Sequence, residues 1–153
     1  MAAYFEDFSP GTMMRHPRGK TVSELDNVLL CNLMLNTADG HFNADSASRT
    51  SFGRPMVFGG VITALVVGLA SEDTAEEALA ELALDSVRFR RPVFHGDTLY
   101  AVTEVLEASP RGELAQPAGE VRFHHWGLNQ TGEIVFECER TVLVAKRPTG
   151  TQP

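Results

Sequence analysis

The run MVFGGVITALVVGLA, Met56 to Ala70, carries no charge and has no polar face. Its only non-aliphatic members are Phe58, Thr63 and three glycines. A helix that is apolar on every side must be wrapped by other structure. Its glycines let a neighbour or ligand come close to the backbone. The uncharged stretch Pro55 to Ser71 is shorter than the ~20 residues that cross a bilayer, so the wrapping has to come from protein. Whatever else the chain does, it must build a shell around this segment.

The remaining sequence supplies one. SEDTAEEALAE returns the chain to solvent, and from Leu82 the apolar period becomes two. LALDSVRFRRPV, GDTLYAVTEVLEA, GEVRFHHWGLNQ and GEIVFECERTVLVAKR alternate as strands. In the last of these, Phe136, Cys138, Arg140, Val142 and Val144 share one face. Asn129 to Gly132 reads as a hairpin turn and His95-Gly96-Asp97 as another, which places His95 at the surface. Upstream, a short strand is expected at Met13 to His16. TVSE (Thr21 to Glu24) has the spacing of a capped helix start, with a helix from about Ser23 to Leu35 ending at Asn36. The polar loop NTADGHFNAD follows, Asn36 to Asp45, and Asp45 is placed to cap a short helix through DSASRTS. Helices followed by an antiparallel meander give an α+β domain: a curved antiparallel sheet wrapped around one long buried helix. A single sheet covers only part of such a helix, so a second copy is expected to cover more, as a homodimer or higher homo-oligomer.

Bulk properties narrow the function. At 153 residues, with 43% hydrophobic and 22% charged residues, the chain fits one globular domain. The reading assigns residues 1–147 to that domain and 148–153 to a flexible tail, with Ala108 to Glu120 a further candidate for disorder. A formal net charge of −7 excludes a basic nucleic-acid footprint. The acidic opening MAAYFEDF lacks the apolar core of a leader, and Cys31 and Cys138 suit free thiols. Together these give the expectation of a cytoplasmic protein with no membrane and no nucleic-acid partner.

Several stretches, in order, resemble the MaoC-type dehydratases and R-specific enoyl-CoA hydratases: YFEDFSPG, TVSELDN, NTADGHFNADSA, FGRPMVFGG, RFRRPVFHGDTLYAVTEV and GLNQTGEIVFECERTVLV. They cover roughly Tyr4 to Arg147. GRPMVFGG and RRPVFHGDTL are the more specific. The N-T-x-x-x-H loop and the phrase GLNQ are similar to a branch acting on mesaconyl-CoA or itaconyl-CoA. The resemblance implies the hotdog fold and hydration or dehydration of a short branched, dicarboxylic enoyl-CoA, with the coenzyme A thioester as substrate and no cofactor or metal.

Carried over residue by residue, the family's D-x-N-P-x-H loop places its histidine at His41 and its aspartate position at Asn36. The small polar residue and glycine at the start of its buried helix correspond to Gly59 and Gly60, and the Gly60 amide would polarise the thioester carbonyl. A neutral imidazole suits proton transfer at neutral pH. A peptide N–H at the start of a dry helix suits enolate charge. A carboxamide holds water but is no base. Either His41 carries the proton while Asn36 positions the water, or a carboxylate such as Asp39 or Asp45 serves as base.

Blander readings stand beside these. His41 alone would be a solvated loop residue, Asn36 a left-handed helix terminus, and Gly59-Gly60 a packing contact. Arg88, Arg90 and Arg91 suit coenzyme A phosphates, a substrate carboxylate or an exposed strand edge. His124 and His125 are adjacent on a strand and face opposite ways, which argues against a shared metal site. Two other functions compete: a hotdog thioesterase, which wants a carboxylate on the buried helix, and a non-catalytic acyl-CoA-binding subunit.

Overall fold

A computed structural model describes residues 3–112 and 116–148. Five strands form one antiparallel sheet: β1 (Met13–Thr21), β2 (Ala78–Phe89), β3 (Thr98–Pro110), β4 (Ala118–Leu128) and β5 (Ile134–Ala145), in the order β1-β3-β4-β5-β2. Among the described residues three α-helices accompany it: α1 (Glu24–Leu33), α2 (Ala44–Ser48) and α3 (Gly59–Thr74). The sheet curves around α3, the α+β arrangement expected.

The core lies where α3 meets the inner face. Val61, Ile62, Val66 and Ala70 from the helix pack with Leu99, Ala101, Phe136 and Cys138 from the strands. Gly127 permits the close approach, since a Cβ there would lie 2.6 Å from Val66 Cγ2. Along β5, Phe136, Cys138, Arg140, Val142 and Val144 are all buried, as the alternation predicts. Arg140 is tolerated on this face because its guanidinium donates to both carboxylate oxygens of Glu81 and to Ser71 Oγ. Thr63, Ser71 and Thr74 each return a hydroxyl proton to the carbonyl four residues back, so the hydroxyls of α3 are satisfied within the helix. The wrapping is incomplete: Ala64 and Gly68 remain exposed.

Local expectations fail in informative ways. The helix cap falls at Ser23 with Asp26 rather than at Thr21 with Glu24, because Thr21 ends β1 and its hydroxyl meets Thr98 Oγ1 at 2.8 Å. Likewise α2 is capped by Asn43, whose side chain accepts from the Ser46 amide, not by Asp45. At the end of α1 the left-handed residue is Leu35 (φ 55°) rather than Asn36, whose amide instead donates to the Cys31 carbonyl at 2.9 Å. The Ala108 to Glu120 stretch is ordered at both ends: β3 runs through Pro110, β4 starts at Ala118, and Pro110 faces Gly119 across the ladder. Residues 113–115 of that stretch and 149–153 of the expected tail lie outside the described residues.

Helix α1 turns three of its leucines outward. Its buried face carries Asn27 and Cys31, while Leu25, Leu29 and Leu33 point to solvent at 71%, 51% and 69% exposure. The spacing of the leucines does mark a helical stripe, but on the outer side.

Candidate active site

His41 sits in a single 3-10 turn, Asp39–His41, between α1 and α2. Two bonds to one residue hold it against the strand-like segment preceding α3. The Met56 amide donates to the Gly40 carbonyl at 2.9 Å, and His41 Nδ1 lies 3.0 Å from the Met56 carbonyl. A carbonyl can only accept, so Nδ1 carries the proton and the neutral ring has a bare Nε2. The ring packs on Phe58, centroids 5.5 Å apart.

Phe58 is also the N-cap of α3. The Val61 and Ile62 amides both donate to its carbonyl, whereas the first two helical amides, Gly59 and Gly60, have no acceptor among the described residues. A cleft of about 560 Å³ opens here, lined among others by His41, Phe52, Phe58, Gly59, Arg90 and Arg91. It therefore brings together an imidazole and the positive end of a 16-residue helix with open amides, with the residues Arg90 and Arg91 in its wall. Arg90 is paired with Glu137, and Arg91 lies 3.5 Å from Glu133.

Of the residues expected from sequence, His41 and Gly59 share the cleft. Gly60 follows directly in the helix, and the space a side chain would take there is filled by the Phe58 ring, 2.5 Å from an ideal Cβ. Asn36, half-buried, does not line the cleft. Its Oδ1 accepts from the Ala38 amide at 3.0 Å, which shapes the turn towards His41, and its Nδ2 has no partner among the described residues. Asp39 and Asp45 are both exposed, and Asp45 is paired with Arg49 at 2.6 Å.

Two residues given no part by the sequence reading hold this assembly. Asn27, fully buried in α1, has its Nδ2 2.6 Å from the His41 carbonyl and 3.1 Å from His95 Nε2, while its Oδ1 accepts from the Phe58 amide at 2.8 Å. His95 does lie in a turn, but it is half-buried and engaged, not a free surface side chain. The one sequence trace of Asn27 is its place just before the run VLLC of a helical stretch, and His95 leaves only its turn residues.

A second cleft of about 570 Å³, lined by residues including Arg15, His16 and Tyr100, lacks this convergence. Both ring nitrogens of His16 are occupied, by Asp73 at 2.6 Å and Thr103 Oγ1 at 2.7 Å. Thr103 Oγ1 continues to His125 Nδ1 at 2.7 Å, inside the core. His125 is fully buried, with its pKa pushed down to about 3 by desolvation and, secondarily, by the Arg140 charge. His124 lies instead across the ladder from Glu139, its ring 4.2 Å from Trp126. Among the described residues no three His, Cys, Asp or Glu side chains converge as a metal site.

The family model described as mesaconyl-CoA hydratase matches residues 4–146, almost the whole chain. The chain belongs to the mesaconyl-CoA hydratase family. Among relatives, it is 36% identical to a beta-methylmalyl-CoA dehydratase of Chloroflexus aurantiacus over 67% of this chain and 29% of that protein. It is 31% identical to a mesaconyl-CoA hydratase of Haloarcula marismortui over 94% of this chain and 42% of that protein. The chain thus spans less than half the length of these curated relatives. An (R)-specific enoyl-CoA hydratase of Rhodospirillum rubrum is similar end to end, 30% identical over 94% and 93% of the two chains. The crystal structure of a monoamine oxidase regulatory protein from Archaeoglobus fulgius superposes with a TM-score of 0.82 at 29% identity, covering 96% and 97% of the two chains. A Mycobacterium tuberculosis protein with a double hotdog fold gives 0.89 at 22% identity over 99% of this chain and 47% of that one, a likeness of fold alone. The hotdog fold is therefore established for this member of the family, and among the described residues no helix is long and apolar enough to cross a membrane.

Proposed function

We propose that the protein is a hydro-lyase that adds water to, or removes it from, the double bond of a short branched, dicarboxylic enoyl-CoA of the mesaconyl-CoA or itaconyl-CoA type. One observation carries the reading: His41, whose Nδ1 is bonded to the Met56 carbonyl, and Gly59, the first residue of α3, line one cleft, with the Gly60 amide next in the helix. In the hydration direction His41 Nε2 takes a proton from water as its oxygen bonds to the β-carbon. The electrons of the double bond move towards the thioester oxygen, where the Gly60 amide, with Gly59 beside it, meets the enolate charge. The imidazolium then returns the proton to the α-carbon. Asn36 stands outside the cleft lining, so its part in this reading is indirect: its Oδ1 accepts from the Ala38 amide and shapes the turn that carries His41. Arg90 and Arg91 suit the anionic parts of such a substrate, and no cofactor beyond the coenzyme A thioester is invoked.

The exposed strip of α3 and the apolar outer side of α1 support a homodimer, and a cytoplasmic location is part of the same proposal. The thioesterase alternative is weak on this helix. Its first carboxylates, Glu72 and Asp73, fall in the last turn and are paired with Arg18 and His16. The test is absorbance of the conjugated thioester, with a thiol reagent present, across straight-chain, branched and dicarboxylic enoyl-CoAs. Loss of the enone band without free thiol supports hydration. Thiol release would indicate a thioesterase, and binding without change across the panel would indicate a non-catalytic subunit.

A further inference from the structure

We infer that Asn27 is the positioning residue that sets where His41 stands relative to the first amides of α3. The inference rests on the hydratase reading of the cleft but makes a separate structural claim. The atoms of one carboxamide connect three segments distant in sequence. Its Oδ1 accepts from the Phe58 amide, and a peptide N–H can only donate, which fixes the orientation of the group. Its Nδ2 must then donate both of its hydrogens, one to the His41 carbonyl and one to His95 Nε2. His95 is thereby assigned as the Nδ1–H tautomer. The Cys31 thiol, 3.8 Å away, takes the remaining lone pair of Oδ1.

The group is used to capacity, and it is fully buried, so no water can replace a lost bond. What it joins is the peptide carrying the proposed proton carrier and the peptide that caps the proposed oxyanion helix. His41 reaches the helix otherwise through the Met56 carbonyl and a ring contact with Phe58. With Asn27 in place the His41 main chain and the Phe58 main chain are tied through one planar amide, so their separation is set by its rigid geometry. This also explains why α1 turns an asparagine and a cysteine inward at the expense of three leucines.

The test compares Asn27→Ala and Asn27→Asp with the wild type in the full chain. The aspartate keeps the shape and the bond from Phe58, loses both donors, and sets an oxygen against the His41 carbonyl. Saturation kinetics on a dicarboxylic enoyl-CoA, thermal melts and ¹⁵N-histidine NMR are read together. The expected result for the aspartate is a protein folded at the assay temperature, with KM within a few-fold of wild type and kcat reduced on the order of 10²-fold by misplacement of the imidazole. The His41 ring nitrogens should leave the fixed Nδ1–H pattern for an averaged one. A variant that is folded with unchanged kcat and unchanged His41 nitrogen shifts overturns the inference. So does activity lost only in proportion to the unfolded fraction, which is a purely structural role. If the wild type hydrates no thioester, the reading of the cleft fails, while the His41 nitrogen shifts still decide whether Asn27 positions the ring.

Discussion

Gly60→Ala isolates the contact chain that links the start of α3 to His41. An ideal Cβ at Gly60 lies 2.5 Å from Phe58 Cε1 and 2.9 Å from Cζ. Carbon atoms settle at about 3.5–4.0 Å, so the ring has to yield by about 1 Å. The Phe58 amide is held by Asn27, so the adjustment falls on the ring, which packs against the His41 imidazole. Overpacking costs about 1–3 kcal/mol, and removing a helical glycine returns about 1 kcal/mol, leaving a net loss of about 0–2 kcal/mol. For a chain of this size that is a fall in Tm of no more than about 8 °C. A displaced proton carrier is more serious, and kcat should fall on the order of 10²-fold. Gly112→Ala is the control: nothing lies within 4 Å of its Cβ, the site is exposed and distant in the fold from α3, and both Tm and kcat should stay near wild type. Initial rates at saturating thioester and a thermal melt on the same preparations read both quantities. Gly60→Ala with kcat within two-fold of wild type, on the order expected of a surface change, would refute the coupling of helix start, aromatic ring and imidazole.

Further outcomes follow from the same geometry. His41→Ala should abolish hydration and leave circular dichroism and Tm near wild type, whereas Asn36→Ala should slow the reaction less; near-full activity in His41→Ala contradicts the assignment. His125 has a folded pKa of about 3, below the roughly 6.5 of an unfolded histidine, so the unfolded chain takes up a proton that the fold excludes. Its contribution is fully present above pH 6.5 and is lost as the pH falls towards 3, about 2 kcal/mol being gone by pH 5; urea midpoints from pH 7.5 to 5 should fall in the wild type and less steeply in His125→Asn. Burial raises the Cys31 thiol and pushes Cys138 up to about 12, so a disulfide reagent should label neither rapidly in buffer and both in urea.

The parts of the fold legible in the sequence were those with a local period. The alternation of β5 places its inner face correctly because burial there is decided strand by strand, and Asn129 to Gly132 turns as its residues require, with the Gly132 amide 3.0 Å from the Asn129 carbonyl. Helix α1 was legible as a helix from its spacing, but spacing alone does not say which side faces inward. Here the inner face is claimed by Asn27, whose partners His41, Phe58 and His95 lie 14, 31 and 68 residues away. No window along the chain contains that network. For the site, the glycine-led helix and the histidine loop could be named from motif order, but which loop atoms face the cleft depends on the two bonds to Met56. The carboxylates nearest His41 in sequence look like candidate bases on paper, and the turn Asp39–His41 and the pair Asp45–Arg49 turn them to solvent instead.

The central claim is a spatial one, and a crystal structure with an unreactive saturated dicarboxylic acyl-CoA measures it. The account predicts the thioester oxygen within hydrogen-bond distance of the Gly60 or Gly59 amide, with His41 Nε2 directed at the carbons that would carry the double bond. A thioester bound elsewhere, or His41 Nε2 turned away from the acyl chain in every copy, would contradict it.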